Sequence, residues 1–447
     1  YTLWEVGLWL LILIVLWGVI ATTMQIYTLA VAAQLKHSVG RAGLASLLTS
    51  VVYLAVPYIT PDLPNSRRDM LVFPLLCVAV VMAWRTIYAL FLVQSGMHHR
   101  ALLIGSGPSM EHLTRLIGEH SPGRFSGMLF GYQFLGLVPD GEEQPGDGGS
   151  IPQLGNIHDL GMLIQRYRPH ELVLSDEIVG ALMHFEQSRE RPRRRRYDML
   201  WTELFDTILE SCELGISITT AGTVYESVTG RVPVQQLGSS LDMAMPLNQS
   251  ATYRLYLMLR RALDIGASLL GCVVLALAVP LVWLANRLSS PGPLFYAQER
   301  VGEGGRTIRV LKFRSMVVNA ERFGAVWASE NDPRITPVGQ LLRKTRVDEL
   351  PQFWNILRGD MSLIGPRPER PEFVNQLARD IPFYRARHAI KPGLTGWAQV
   401  CYRYGASMED SLIKLQYDLY YVKHVSLLMD LRIVLLTIPV VLGFKGR

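Results

Sequence analysis

Cysteine is scarce in this chain: four in 447 residues, Cys77 and Cys272 within apolar runs, Cys212 and Cys401 far apart. No CxxC pair occurs, so neither a disulfide framework nor a zinc site is expected, in keeping with a reducing, cytosolic side. Lysine is also scarce. Only seven of the 44 basic residues are lysine, so arginine carries the net charge of +6. A planar guanidinium makes paired hydrogen bonds to phosphate, and the bias therefore suits phosphorylated substrates or lipid head groups. No recognised nucleic-acid motif accompanies it, which argues against a nucleic-acid partner.

What is abundant is apolar. Hydrophobic residues make up 49% of the chain, clustered in a few runs. Residues 8–33, 42–59 and 71–93 are each long enough to cross a bilayer, so residues 1–99 are expected to form about three transmembrane spans. Lys36 and Arg41 in the first connection balance Arg67 and Arg68 in the second, so the positive-inside rule sets no orientation. With everything after Arg100 cytosolic, Tyr1 lies outside; the first residue is not methionine, and a missing upstream span would return the true N-terminus to the cytosol.

Residues 100–248 read as a Rossmann-like cytosolic domain. The apolar strand Ala101–Ile104 runs into Gly105-Ser106-Gly107 and a helical stretch near 109–119, and further strands are expected at Leu172–Leu174 and Ile216–Ile218. The glycine turn resembles a dinucleotide fingerprint, but Met110 stands where the third glycine belongs, and a tight turn in a structural domain is the preferred reading. The arginine run Arg191–Arg196, broken by Pro192, reads as a solvated loop.

Residues 262–286 are a fourth apolar run of spanning length. Arg254, Arg260 and Arg261 precede it and Arg287, Arg300 and Arg306 follow, which gives no direction to cross, and Pro280 interrupts it. A re-entrant helix that kinks and leaves by the same face satisfies both facts; a straight span is the alternative. The apolar run from Leu427 to Phe444 is interrupted by Asp430, Arg432 and Pro439 and reads as an interfacial helix.

From Ser290 onward short polar motifs take over. Tyr296-Ala297-Gln298-Glu299-Arg300-Val301-Gly302 leads to Lys312-Phe313-Arg314-Ser315-Met316 and then to Arg343-Lys344-Thr345-Arg346-Val347-Asp348-Glu349-Leu350-Pro351-Gln352. Gly359-Asp360-Met361-Ser362, Gly365-Pro366-Arg367-Pro368 and Arg387-His388-Ala389-Ile390-Lys391-Pro392-Gly393 follow, with Leu415-Gln416-Tyr417-Asp418 nearer the end. Asp348 and Glu349 are adjacent carboxylates amid basic residues. One could attack phosphorus while the other holds a divalent cation, with arginines offsetting the charge of a diphosphate. Taken alone, the same residues are as readily a solvated helix face with weak ion pairs, the proline motif a mere turn, and His388 a hydrogen-bonded structural residue.

In the order of these motifs, residues 250–447 resemble the bacterial sugar transferase family, the monotopic polyprenyl-phosphate sugar phosphotransferases, and the upstream regions resemble its long forms in exopolysaccharide synthesis. The resemblance implies a mainly helical catalytic domain at 249–447 with a re-entrant helix at 262–286, and α/β structure before it. It implies transfer of a sugar-1-phosphate from a UDP-sugar to undecaprenyl phosphate with release of UMP, through a phosphosugar carried covalently on Asp348. Glu349 matches the magnesium-binding acid, and Lys312, Arg314, Arg343, Arg367 and Arg387 match basic positions near the phosphates or uridine. Membrane lipids as partners, the bacterial inner membrane with the catalytic domain on its cytosolic face, and dimerisation through the upstream regions complete the expectation. A small polar residue commonly precedes the helix-breaking proline in the family; here it is Val279.

Two rivals remain. A membrane-bound nucleotide-sugar dehydratase needs an intact glycine fingerprint and a Tyr-x-x-x-Lys pair, yet none of the seven lysines has a tyrosine four residues upstream. A non-catalytic scaffold or regulator of polysaccharide assembly would be expected to lose the acidic pair and the Gly-Pro-Arg-Pro turn first, and both are intact.

Overall fold

The computed structural model describes residues 3–24, 26, 35–55, 67–88, 99–120, 128–129, 132–140, 151–188, 195–234, 251–318, 320, 332–402 and 407–442. The chain divides into two units, Tyr1–Thr229 and Gly230–Arg447. The division falls before the expected boundary at 248 because Val232 and Val234 are buried with Leu415 and Leu419 in a core of the second unit.

The first unit opens with three apolar helices, α1 (Leu3–Thr23), α2 (Leu35–Ala55) and α3 (Arg67–Ile87), with α2 packed against both neighbours. Helices α2 and α3 start earlier than their apolar runs, because hydropathy passes over their polar first turns, Leu35-Lys36-His37-Ser38 and Arg67-Arg68-Asp69. The connections at 27–34, 56–66 and 89–98 lie outside the described residues.

The α/β part follows in the order β1 (His99–Ile104), α4 (Pro108–His120), β2 (Met128–Leu129), β3 (Tyr132–Val138), α5 (Leu160–Tyr167), β4 (Glu171–Leu174), α6 (Asp176–Ser188), α7 (Arg195–Glu213), β5 (Ser217–Thr220) and α8 (Ala221–Thr229). The sheet runs β2-β3-β1-β4-β5, parallel except for β2 at one edge. Alternate residues of β1 feed two cores: Ala101 and Leu103 meet Met110, Leu113 and Val224, while Leu102 and Ile104 meet Leu160, Ile164 and Ile178. A parallel sheet covered on both faces requires such unbroken apolar strands, which is why β1 and β4 were legible. Strand β3 was not anticipated. Of the arginine run, Arg191–Arg194 lie outside the described residues and Arg195 and Arg196 open α7.

The glycine turn is occupied by the protein itself. Gly107 has φ +103°, and a Cβ there would lie 2.8 Å from the Glu177 carboxyl carbon. That carboxylate accepts from the Ser109 amide at 3.2 Å and the Ser109 hydroxyl at 2.5 Å. It therefore sits on the first turn of α4, where a dinucleotide would place its pyrophosphate. Met110 is buried in the core. Both observations support the structural reading of the turn.

The second unit is mainly helical. Its first element, α9 (Ala251–Ser289), is 39 residues long and continues through Pro280. Within it Tyr253–Ser289 is, among the described residues, the one helix long and apolar enough to cross a membrane. A single stripe of α9 is buried, through Tyr256, Arg260, Asp264, Ser268, Val282 and Asn286, at the three-and-four spacing of one helix face. The remaining surface exposes Leu259, Leu263, Leu270, Val273, Leu277, Leu281 and Leu288. An apolar surface of that extent does not face water in a soluble monomer.

Beyond α9 come an antiparallel hairpin of β6 (Phe295–Val301) and β7 (Thr307–Phe313), then α10 (Pro337–Lys344), α11 (Gln352–Arg358), β8 (Ser362–Ile364), α12 (Pro371–Asp380), β9 (Gly393–Thr395), α13 (Trp397–Cys401), α14 (Met408–Lys423) and α15 (Leu427–Leu442). Strands β8 and β9 pair in parallel. Asp430, which interrupts the last apolar run, is turned inward and accepts from Tyr256 at 2.9 Å and Tyr421 at 2.6 Å. Residues 443–447 lie outside the described residues.

Candidate active site

The site is built on the hairpin and the turn between α10 and α11. Thr336 caps α10, its hydroxyl accepting from the Gly339 amide at 3.0 Å, with Pro337 in the first turn. The helix ends at Lys344, and Arg346 then takes a left-handed conformation (φ +58°, ψ +15°) that non-glycine residues rarely adopt. That reversal opens a 3-10 turn, Val347–Glu349, which holds both carboxylates. Asn355 of α11 locks β7 beside it: its Oδ1 accepts from the Leu311 amide at 2.9 Å and its Nδ2 donates to the Arg309 carbonyl at 2.7 Å. Lys312 is thereby set against the turn.

The two carboxylates, both 8% exposed, have opposite surroundings. Glu349 Oε1 receives Arg367 Nη2 at 2.7 Å and Lys312 Nζ at 3.2 Å, and Oε2 lies 3.7 Å from Arg346 Nη1. Burial by itself would raise its pKa, but Arg367, Lys312 and Arg346 outweigh that and hold the carboxyl well below the usual range. Asp348 accepts no hydrogen bond and forms no ion pair among the described residues. Burial pushes its carboxyl up, Lys312 pulls it back and the adjacent Glu349 charge pushes again, leaving it at about 6. Among the described residues one carboxylate is thus clamped by three cations, and its neighbour is buried, unbonded and within reach of positive charge.

Of the five basic residues expected near the substrate, Lys312 and Arg367 meet at Glu349. Arg343 stands on α10 with its Nε donating to Ser315 Oγ at 2.9 Å, near enough for its charge to act on Asp348. Arg314 and Arg387 are instead committed to the protein. Arg314 is 6% exposed and donates to the Pro293 carbonyl (2.7 Å), Ser290 Oγ (3.0 Å), the Met316 carbonyl (3.2 Å) and the Ser290 carbonyl, tying the Ser-Pro-Gly-Pro loop to the hairpin. Arg387 is 5% exposed and pairs with Asp418 at 2.6 Å. Burial pushes the Asp418 carboxyl up to about 6 despite Arg387. His388 is lowered to about 4, first by burial and then by Arg387 and Arg385, so it is neutral near pH 7.

Several contributors have roles that their motifs did not reveal. Arg346, Asn355, Ser315 and Asp418 act by positions that only folding defines. So does the inner stripe of α9. Asp264 Oδ1 accepts from Ser362 Oγ (3.1 Å) and the Leu363 amide (2.9 Å), fixing β8 before the Gly-Pro-Arg-Pro turn. Arg261 donates to the Ile356 and Leu357 carbonyls at 2.7 and 2.8 Å, capping the C-terminal turn of α11. At Gly271 a Cβ would meet the Phe353 ring at 2.3 Å, so this glycine lets α9 and α11 approach. The membrane-type helix is therefore a wall of the site as well as an apolar surface.

The donor set fits a magnesium ion bound with a diphosphate. Such an ion takes only one or two protein carboxylates and completes its shell with phosphate and water. Glu349 is ionised as a ligand must be, its Oε2 keeps only the loose 3.7 Å contact with Arg346, and Asp348 is next to it. No group of three or more His, Cys, Asp or Glu residues among the described residues could hold a metal without the substrate.

A buried carboxylate pair among basic side chains, beside a long apolar helix, is an arrangement suited to phosphate chemistry. Residues 255–444 match the profile of the bacterial sugar transferase family. A UDP-glucose:undecaprenyl-phosphate glucose-1-phosphate transferase of Caulobacter vibrioides is 41% identical over 182 residues, 40% of this chain and 68% of that protein. A UDP-N-acetylgalactosamine-undecaprenyl-phosphate N-acetylgalactosaminephosphotransferase of Aeromonas hydrophila is 41% identical over 267 residues, 56% of this chain and 61% of the relative. A glucose-1-phosphate transferase of Escherichia coli acting on the same lipid is 41% identical over 191 residues, 42% of this chain and 40% of the relative. The chain belongs to the bacterial sugar transferase family. It spans less than two thirds of the length of the Aeromonas and Escherichia relatives.

Proposed function

We propose that this protein transfers a sugar-1-phosphate from a UDP-sugar to undecaprenyl phosphate, the first step in assembling an exopolysaccharide or capsule. The observation that carries the reading is the division within the dyad: Asp348 has no partner among the described residues, while Glu349 takes three cations. In the first half-reaction an Asp348 oxygen attacks the β-phosphorus of the donor. A phosphorus–oxygen bond to the carboxylate forms, the bond to the bridging oxygen breaks, and UMP leaves with that electron pair. In the second, a phosphate oxygen of the lipid attacks the same phosphorus and the bond to Asp348 breaks, restoring the carboxylate.

Lys312, Arg343 and Arg367 offset the charge that collects on the phosphoryl oxygens. Glu349 would hold the magnesium ion, which when bound neutralises further charge on the diphosphate. Glu349 also fixes Arg367 and Lys312 where the phosphates arrive. Arg314 and Arg387, turned into the protein, support the loops around the site instead of touching the donor.

The lipid phosphate lies at the head-group plane, and a soluble UDP-sugar must meet it there. The exposed apolar surface of α9 supports a re-entrant anchor that brings the dyad to that plane, on the cytosolic face of the bacterial inner membrane, with α1 to α3 as upstream spans. The decisive experiment incubates the purified protein with UDP-sugars, magnesium and undecaprenyl phosphate. The donor panel includes UDP-glucose and UDP-N-acetylgalactosamine, the sugars of the relatives' names. UMP release and a phosphosugar adduct on the protein are expected, and Asp348→Asn abolishes both; undiminished turnover in that variant sinks the assignment.

A further inference from the structure

Asp418 has no part in the chemistry above, yet it is 2% exposed on α14 with its carboxylate 2.6 Å from the Arg387 guanidinium. Arg387 sends Nη1 to the Tyr384 hydroxyl at 2.8 Å and Nη2 to the Arg367 carbonyl at 3.0 Å. The side chain of Arg367 then reaches Glu349 at 2.7 Å. A line of contacts therefore runs from the helical core to the carboxylate pair. Its middle link grips the main chain of the very residue whose side chain touches Glu349.

Stability alone is a poor reason for such a pair. Removing two charges from water costs about as much as their attraction returns, and apolar replacements of similar volume are often neutral or better. What the pair supplies is a fixed direction for the planar guanidinium: Nη2 stands against Asp418 and donates to the Arg367 carbonyl, while Nε has no hydrogen-bond partner among the described residues.

We infer that Asp418 is a positioning residue: through Arg387 it fixes the main chain at Arg367, and so sets the guanidinium that Arg367 presents to Glu349. The inference rests on the reading of Asp348 and Glu349 as the phosphate-handling pair. Asp418 does not touch the substrate. Its effect is on geometry, where a misplacement of about 1 Å costs on the order of 100-fold in rate.

The test uses the full chain in detergent. Asp418→Asn keeps the volume and removes the charge; Arg387→Lys keeps a charge and removes the fork. Both are measured by UMP release per folded molecule, thermal unfolding and amide hydrogen exchange. A kcat lower by about 10- to 100-fold is expected, with KM within about twofold of the parent. Faster exchange of the Gly365 and Arg367 amides is expected without a general increase. In an Arg367→Ala background Asp418→Asn should cost little more. A parental kcat, a loss that multiplies in full with Arg367→Ala, or unchanged exchange at the turn overturns the inference. Should Asp418→Asn not fold, Arg387→Lys decides by the same two readouts. If the parent protein releases no UMP from any donor, the functional reading has failed; exchange at the turn still decides the relay, faster supporting it and unchanged overturning it.

Discussion

At the scale of single residues, environment rather than identity separates Asp348 from Glu349. Both are carboxylates of one turn, equally buried, yet among the described residues three cations reach one and none bonds the other. A nucleophile must be ionised, and the Asp348 carboxyl, at about 6, is protonated below that pH. The value of kcat/KM in the free enzyme should therefore rise with pH through about 6 and flatten above, which a pH–rate profile checks. His388, at about 4, contributes nothing to that limb. Arg314 makes a contrasting prediction. Its guanidinium holds a loop through four hydrogen bonds, so Arg314→Ala should lower stability by about 2–4 kcal/mol while KM of the folded fraction stays near parental. Thermal unfolding together with donor KM separates this from a substrate contact. The acidic pair and its basic neighbours were legible in the sequence, because charge of opposite sign at close spacing is visible in one dimension. Which arginines face inward was not, since Arg314 and Arg367 differ only in what lies beside them after folding.

At the scale of elements, α9 does two jobs on two faces. Its exposed leucines were read correctly as an apolar run, but its inner stripe of Arg260, Arg261, Asp264 and Gly271 holds β8 and α11. Hydropathy averages over a helix, so a narrow polar stripe disappears into the mean. Gly271→Leu should overpack the contact with Phe353, costing about 1–3 kcal/mol and displacing the turn that bears the dyad. Gly266→Leu, where a Cβ meets nothing within 4 Å, is the matched control and should leave turnover and stability near parental. Equal loss in both variants, measured by UMP release and unfolding, would remove the argument. Pro280 stands inside α9, which runs on beyond it to Ser289.

At the scale of the molecule, the second unit begins earlier than composition suggested. Val232 and Val234 precede a stretch with no regular hydropathy, and only their burial against Leu415 and Leu419 assigns them to the catalytic unit. A fragment starting at Gly230 should retain UMP release. One starting at Ala251 loses two buried valines, each worth about 1.5–3 kcal/mol, and should unfold at lower temperature with less activity. Comparing the two fragments tests the boundary and shows whether the first unit is needed for chemistry.

The sequence by itself determined the family, the dyad, the apolar runs and the parallel strands β1 and β4, since each is a local pattern of charge or hydropathy that survives without neighbours. Tertiary structure alone decided which carboxylate the three cations clamp, that Arg314 and Arg387 turn inward, that Glu177 fills the glycine turn, and that Asp418 stands behind Arg387. Those are matters of distance between residues far apart in the chain. Ion pairing and desolvation depend on that distance, and no one-dimensional pattern contains it.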